Sequence, residues 1–132
     1  MFIMMPRLKV FIVDDALSIR DSLKKLISKI SFIDIIAEAG SVTEARGKLT
    51  QLNPDITILD LNLPDGSGIE LLKEIKTGTN SHTVIMLTNY SAEQYRKKSI
   101  ENGADYFLDK STEFEHVKDI LDLLKNNSSL AL

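Results

Sequence analysis

Short, largely apolar runs recur along the chain, and each is followed by a segment in which apolar residues fall on one helical face. Such runs are typical of strands buried on both faces of a parallel sheet. Apolar residues at spacings of three and four indicate amphipathic helices, as at Leu23, Leu26, Ile27 and Ile30. The predicted strands cover Leu8 to Val13, Ile33 to Ala39, Ile56 to Leu59, Val84 to Leu87 and Asp105 to Leu108.

Capping residues predict where the helices begin and end. A Ser or Thr followed three residues later by an acidic or amide side chain can satisfy the first free N–H groups of a helix. Gly103 is expected to end the fourth helix, since glycine is favoured just beyond a helix C-terminus. The candidate capping pairs are Ser18 with Asp21, Ser41 with Glu44, Ser67 with Glu70, Ser91 with Gln94 and Thr112 with Glu115.

Strict alternation of strand and helix predicts the fold class. It indicates a parallel sheet covered by helices on both faces and joined by right-handed crossovers. We therefore predict a doubly wound, flavodoxin-like α/β sandwich with five parallel strands in the order 2-1-3-4-5. In such sheets the functional crevice lies at the carboxyl ends of the strands.

Length, charge and composition narrow the class of protein. The chain has 132 residues, no cysteine, a formal net charge of −3 and a pI near 5.4. One domain over residues 7–126 is expected, between an extension at 1–6 and a tail at 127–132. The end of the last helix is expected to fray from Lys125. The acidic balance disfavours direct nucleic-acid binding. The apolar start, interrupted at Pro6, predicts neither a signal peptide nor a membrane span, and we expect a cytoplasmic protein.

Polar residues follow the predicted strands at the edge where a site is expected. Asp14 and Asp15 follow the first strand, Asp60 the third, Thr88 the fourth and Lys110 the fifth. The strand order makes the first and third strands neighbours. We therefore expect the three carboxylates to lie together, with Thr88 and Lys110 on the same rim.

Three adjacent carboxylates repel one another and raise one another's pKa unless a cation offsets their charge. Mg²⁺ prefers oxygen ligands of this kind and often completes its coordination shell with a phosphate. A carboxylate can itself accept a phosphoryl group, and Lys110 and Thr88 are available to pair with the phosphoryl oxygens. The pattern therefore predicts a magnesium site used in phosphoryl transfer.

The same residues lie in four segments that resemble the receiver domain of two-component response regulators, the CheY-like superfamily. The resemblance runs from about Arg7 to Lys125, and the order of the segments makes it specific. The segments are Val13-Asp14-Asp15, Leu59-Asp60-Leu61-Asn62-Leu63-Pro64-Asp65-Gly66-Ser67-Gly68, Leu87-Thr88-Asn89 and Gly103-Ala104-Asp105-Tyr106-Phe107-Leu108-Asp109-Lys110.

The resemblance implies a role for each matching residue. Asp60 would accept the phosphoryl group, with Thr88 as the switch hydroxyl and Lys110 as the cation paired with the phosphoryl oxygens. Asp15 and Asp60 would bind Mg²⁺, as would Asp14 through water and Asn62 through its backbone carbonyl. Phe107 falls where the family keeps an aromatic residue that changes rotamer with the switch hydroxyl, although plain packing is the alternative. Tyr106 fits that position less well.

The resemblance also implies a signalling switch rather than an enzyme acting on other substrates. The phosphoryl donor would be a sensor histidine kinase or a histidine phosphotransfer protein. A downstream protein would bind the face formed by helix four, strand five and helix five, and whether the chain also forms a homodimer is left open. Arg96-Lys97-Lys98 on helix four is either a solvated charge run or part of that surface.

Two positions depart from the family pattern. Ser111 stands after Lys110 where the family commonly has proline, often with a cis bond, so the loop geometry is open. Asn89 and Tyr90 follow Thr88 where a small residue is usual. We expect them to narrow access to the acyl phosphate and slow its hydrolysis.

Two other functional classes share this topology or this chemistry but lack matching residues. A phosphohydrolase of the haloacid dehalogenase kind needs Asp-x-Asp on one strand, but Ala16 follows Asp14 by two residues and Asn62 follows Asp60. A flavodoxin-like carrier needs hydroxyl donors after the first strand, where Asp14-Asp15 would repel the flavin phosphate. The glycines near Pro64 lack the spacing of a nucleotide loop. His82 and His116 are expected at the surface, not as metal ligands.

Overall fold

The computed structural model describes residues 7–130. The strands are β1 (Leu8–Val13), β2 (Ile33–Ala39), β3 (Ile56–Leu59), β4 (Asn62–Leu63), β5 (Gly66–Ser67), β6 (Thr83–Thr88) and β7 (Tyr106–Asp109). The helices are α1 (Leu17–Ile27), α2 (Val42–Leu49), α3 (Gly68–Thr77), α4 (Glu93–Glu101) and α5 (His116–Leu130).

The main sheet has five parallel strands in the order β2-β1-β3-β6-β7. This is the predicted order, because β6 and β7 are the fourth and fifth strands of that sheet. Val13 pairs with Leu59 across β1 and β3, and Thr88 pairs with Asp109 across β6 and β7. The register therefore aligns the carboxyl ends of these strands at one edge of the sheet.

Each face of the sheet is covered by its own apolar core. Along β1, Phe11 and Val13 contact the core formed with α2 and α3, whereas Val10 and Ile12 contact the core formed with α1 and α5. This alternation follows from the two-residue period of a strand. Because both faces of the sheet are buried, the strands are largely apolar, which is the pattern from which they were predicted.

Several local expectations differ from the structure. Ser41 and Ser67 cap α2 and α3 as predicted, accepting the N–H groups of Glu44 and Ile69. Ser18 lies inside α1, and neither Ala16 nor Ala92, the residues that precede α1 and α4, makes a side-chain cap. The loop after β3 also contains an antiparallel pairing of β4 with β5 that apolar periodicity did not predict.

The last helix also differs from the prediction at both ends. It begins at His116, so the capping pair predicted at Thr112 and Glu115 is wrong. The carboxylate of Asp109 instead accepts the N–H groups of Ser111 and Thr112, which holds this segment in turns. The helix then continues to Leu130 rather than fraying from Lys125. Within residues 7–130, no helix has the length and apolar character needed to cross a membrane.

Candidate functional site

The three carboxylates predicted to meet lie together at the carboxyl edge of the sheet. Asp14 and Asp60 follow directly after the paired residues Val13 and Leu59, so adjacent strands deliver them side by side. Asp14, Asp15 and Asp60 each offer one oxygen, and these oxygens lie within 4.8 Å of one another. Asp14 and Asp60 are buried, whereas Asp15 is exposed at the rim.

Lys110 joins the two buried carboxylates. Its Nζ lies 2.6 Å from Asp14 Oδ2 and 2.8 Å from Asp60 Oδ2. All three side chains are at most 7% exposed. The position of the lysine follows from the end of β7, where the Lys110 N–H donates to the carbonyl of Thr88 at 3.0 Å. The cation is therefore brought to the acids by strand register.

The charges of this cluster are not balanced. Burial raises the pKa of Asp14, and this effect outweighs the opposing contacts with Lys110 and the Ala16 N–H. Burial by itself would lower the pKa of Lys110, but its hydrogen bonds to Asp14 and Asp60 reverse the direction, and the pKa is raised. A protonated lysine therefore faces three acids, and negative charge is left over.

The donor set fits a divalent metal ion. Carboxylate oxygens that converge from separate strands are the ligands that hard cations such as Mg²⁺ and Ca²⁺ take. Asp15 is the most accessible of the three acids, and excess negative charge favours binding of a cation from solvent. The cluster of Asp14, Asp15 and Asp60 could therefore hold a metal ion.

Thr88 ends β6 and Asn62 begins β4, in the loop that follows β3. Thr88 is fully buried, and its hydroxyl accepts the Tyr90 N–H at 3.1 Å. The Asn62 N–H approaches Asp60 Oδ1 at 3.4 Å, and its side-chain amide contacts the Tyr90 hydroxyl at 3.3 Å. Asn89 is exposed. Its effect on acyl phosphate hydrolysis stays a prediction.

Phe107 lies in the core of the α2–α3 face, with 4% of its surface exposed. The guanidinium of Arg96 covers its ring, 5.0 Å from the centroid. Arg96 also contacts the Phe107 carbonyl at 3.4 Å and Glu113 at 4.0 Å. The sequence indicates Arg96 only as part of a solvated charge run or of a partner surface, yet this arginine ties α4 to β7.

Other residues near the site were not singled out by sequence reasoning. Arg20 donates to the carbonyl of Asp14 at 2.7 Å. Asp65 accepts the N–H groups of Val42 and Thr43 and so caps α2 from another loop, and the Thr43 hydroxyl and these N–H groups lower the pKa of Asp65 to about 2. Gly68 is required because a Cβ there would overlap the Asp60 carbonyl.

The remaining expectations concern Ser111 and the histidines. Residues 7–130 contain no cis peptide bond, so Lys110 and Ser111 are joined by a trans bond. His116 is exposed, as expected. His82 is only half-exposed, because its Nε2 lies 2.6 Å from the hydroxyl of the buried Thr57 and its Nδ1 lies 2.9 Å from the Asn80 carbonyl.

Comparison with known families decides the assignment. The model of the response regulator receiver domain matches residues 10–122, which include every member of the carboxylate cluster. The chain belongs to the response regulator receiver domain family. Members of this family are the signalling partners of histidine kinases in two-component systems. Neither a haloacid dehalogenase hydrolase nor a flavin carrier is supported by this result.

Relatives of the receiver domain are longer regulators. The chain is 34% identical over 131 residues to the DNA-binding transcriptional activator DevR/DosR of Mycobacterium tuberculosis, covering 94% of this chain and 60% of that protein. It is 38% identical over 114 residues to the transcriptional regulatory protein YdfI of Bacillus subtilis, covering 86% of this chain and 53% of that protein. The chain thus spans about 60% or less of the curated relatives named here.

Solved structures share the fold. The response regulator domain of Thermotoga maritima CheB is 27% identical and superposes with a TM-score of 0.78, covering 93% of this chain and 96% of that domain. The isolated receiver domain of RcsB from Salmonella enterica superposes with a TM-score of 0.84 at 23% identity, covering 91% of this chain and 89% of that one. At 23% identity, the likeness to the RcsB receiver domain shows a shared fold and nothing more.

Proposed function

We propose that this receiver domain is a phosphorylation-controlled switch that accepts a phosphoryl group on Asp60 in a Mg²⁺-dependent reaction. The supporting observation is the environment of Asp60: a buried carboxylate beside Asp14 and Asp15, with Lys110 2.8 Å away. The donor is a phosphohistidine of a sensor histidine kinase or a histidine phosphotransfer protein. This donor class is supported by the family assignment.

In the proposed reaction a carboxylate oxygen of Asp60 attacks phosphorus. The new P–O bond forms as the P–N bond to the donor histidine breaks, and the electron pair returns to the imidazole nitrogen, which then takes up a proton. Lys110 pairs with a phosphoryl oxygen, and the Thr88 hydroxyl donates to another once the group is in place. Positioning and charge balance are the main contributions of a protein to such transfers.

Mg²⁺, when bound, neutralises charge on the carboxylates and on the incoming phosphoryl oxygens. Asp15 and Asp60 would hold it directly, Asp14 through water, and Asn62 through its backbone carbonyl. Asp14 and Asp60 are fixed by Lys110, so this chain orients two of the acids before any ion arrives. Asp15 stays accessible at the rim.

The output is a change in the surface formed by α4, β7 and α5. Thr88 lies at the end of β6, and Phe107 lies on the adjacent β7 beneath Arg96. Phosphorylation would favour one of two arrangements of Thr88 and Phe107, and so alter this surface. A downstream protein or a second copy of the chain binds there. The domain acts as a switch rather than as an enzyme on other substrates.

We also propose residues 7–126 as the receiver domain, with a cytoplasmic location. The family match over residues 10–122 supports the bounds of the domain, and a cytoplasmic location is typical of that family. The predicted extension at 1–6 and the last two residues of the predicted tail at 127–132 lie outside the described residues. Residues 127–130 continue α5.

Incubation with acetyl phosphate and Mg²⁺, followed by intact mass measurement, tests the function. The wild type should gain the mass of one phosphoryl group, and Asp60→Ala should not. Asp105→Ala is a matched control, because this acid lies before β7 at the opposite edge of the sheet; it should be phosphorylated like the wild type.

Three results would contradict the proposal. Phosphorylation that persists in Asp60→Ala would place the acceptor elsewhere. Turnover of many phosphate esters would indicate a phosphohydrolase, and a yellow protein on purification would indicate a flavin carrier.

A further inference from the structure

We infer that Arg20 is a positioning residue for the metal-binding carboxylates, acting through the peptide bond between Asp14 and Asp15 and held in place by Glu38. The inference rests on the proposed Mg²⁺ site and adds to it a residue that does not touch the ion. Arg20 lies in α1, across the loop from the acids.

The first observation is the contact between Arg20 and the main chain of the site. The NH1 group of Arg20 donates to the Asp14 carbonyl at 2.7 Å, and the arginine side chain is 18% exposed. That carbonyl belongs to the peptide unit that links Asp14 to Asp15. Its orientation sets the direction in which the Asp15 side chain leaves the backbone, since the peptide unit is planar.

The second observation is that the position of the Asp15 carboxylate is set by the backbone rather than by contacts of its side chain. The carboxylates of Asp14 and Asp60 are each fixed by Lys110. Within the part of the chain that the structure describes, no side chain makes a hydrogen bond or an ion pair with the Asp15 carboxylate. The peptide unit held by Arg20 is therefore the main constraint on where this acid is presented.

The third observation is that Arg20 is itself fixed. Its Nε donates to Glu38 Oε1 at 2.8 Å, and Lys24 donates to the other oxygen of Glu38 at 2.8 Å. Arg20 thus bridges a β2 carboxylate and the β1–α1 loop with two different nitrogens.

This bridge needs a guanidinium. The planar fork of arginine presents several donors in fixed directions, whereas the ammonium of lysine is a point charge on a flexible stem. A simple tie between α1 and β2 would not need the Asp14 contact, because Lys24 already joins α1 to Glu38. The geometry therefore assigns Arg20 the additional task of holding the Asp14–Asp15 peptide.

The test is Mg²⁺ titration by calorimetry, without a phosphoryl donor, on the wild type, Arg20→Lys and Arg20→Met. Residues that orient metal ligands typically change affinity by about 10- to 100-fold when replaced. We expect the dissociation constant for Mg²⁺ to rise about tenfold in both variants, and by less in Glu38→Gln. Saturating Mg²⁺ should restore most of the rate of phosphorylation by acetyl phosphate.

The two substitutions separate positioning from charge. Arg20→Lys keeps the positive charge and loses the fork. Arg20→Met also removes a cation near a cation site, and the loss of Coulomb repulsion alone would tighten Mg²⁺ binding. Weaker binding in both variants supports positioning. Unchanged binding in the lysine variant together with tighter binding in the methionine variant would overturn it.

Arg46 provides a matched control, since it forms a similar two-nitrogen pair with Glu74 between α2 and α3. The same two changes at Arg46 should leave Mg²⁺ affinity unchanged.

If Arg20→Met does not fold, Arg20→Lys and Glu38→Gln still test the inference. A loss of thermal stability with unchanged Mg²⁺ affinity would make Arg20 only a structural tie. Failure of the wild type to bind Mg²⁺ would instead overturn the proposed metal site, and the inference with it.

Discussion

The two edges of the central sheet contain similar polar residues in different balance. At the carboxyl edge, Lys110 contacts two buried acids, and a third lies at the rim. At the opposite edge, Lys76 donates to the Asp105 carboxylate and to the His82 carbonyl, both at 2.9 Å. Both edges thus have a lysine paired with an aspartate.

The two edges differ in whether the negative charge of the acids is balanced by positively charged side chains of the protein. The Asp105 carboxylate also accepts the Val84 N–H at 2.8 Å, and His82 is bonded on both ring nitrogens. Lys76 thus meets the single carboxylate of Asp105, and the nearby Asp55 accepts the Lys9 N–H. At the carboxyl edge three acids lie around one lysine, and negative charge is left over. Unbalanced buried charge, rather than the presence of polar residues, therefore marks the functional edge.

The largest effect is expected from removing each lysine in turn. Lys110→Met leaves two buried carboxylates without their partner, which should cost about 3 kcal/mol of unfolding free energy without metal. It should also slow phosphorylation by acetyl phosphate about 100-fold, since one charge-stabilising donor is lost. Lys76→Met should cost about 1 kcal/mol and leave phosphorylation unchanged. Urea unfolding and timed mass measurements check both; equal rates in the two variants would contradict the comparison.

A glycine at each edge offers a second comparison. A Cβ at Gly68 would overlap the Asp60 carbonyl, so Gly68→Ala should destabilise the fold by about 2 to 4 kcal/mol and impair phosphorylation. Gly103 has a φ of 102° at the end of α4, and Gly103→Ala should cost about 1 to 2 kcal/mol. Full phosphorylation of refolded Gly68→Ala would show that the close approach serves packing alone.

Removing one acid should have opposite effects at the two edges. Asp15→Asn relieves like-charge repulsion and should raise metal-free stability by about 1 kcal/mol. It should also abolish the stabilisation by Mg²⁺, which for the wild type is about 1.4 kcal/mol at ten times the dissociation constant. Asp105→Asn should lower stability, because a satisfied ion pair is lost. Thermal unfolding with and without Mg²⁺ measures both; destabilised metal-free Asp15→Asn would refute the charge imbalance.

The smallest effect concerns pH at the His82 edge. Burial lowers the pKa of His82, although the Asn80 carbonyl opposes this shift. The unfolded chain therefore takes up a proton near pH 6.5 that the folded chain resists, so His82 contributes to a fall in stability between about pH 7 and about pH 5. His82→Gln should reduce that slope, and His116→Gln, at the exposed histidine, should preserve it. Equal slopes in all three proteins would exclude the role of His82.

Capping residues show how far local sequence patterns extend. Ser41 and Ser67 cap the predicted helices, and at α2 Asp65 takes the Val42 and Thr43 N–H groups but leaves the Glu44 N–H to Ser41. At the start of α1, the Asp14 carboxylate accepts the Ala16 N–H at 2.9 Å. Asp109 accepts the N–H of Thr112 and a hydrogen bond from the side chain of Ser91. The caps predicted at Ser18, Ser91 and Thr112 therefore fail where Asp14 or Asp109 accepts hydrogen bonds from nearby N–H groups and hydroxyls.

The order of strands, the two buried faces and the membership of the carboxylate cluster were determined by the sequence alone. Apolar runs and crossover handedness place every strand end on a known edge, so residues that follow strands meet there whatever the side-chain details. Only the tertiary structure decided that Lys110 bridges two acids, that Asp65 caps α2 and that Arg20 holds the Asp14 carbonyl. Such contacts depend on how helices and loops pack over the sheet and on side-chain reach, and neither is encoded in the periodicity of the chain.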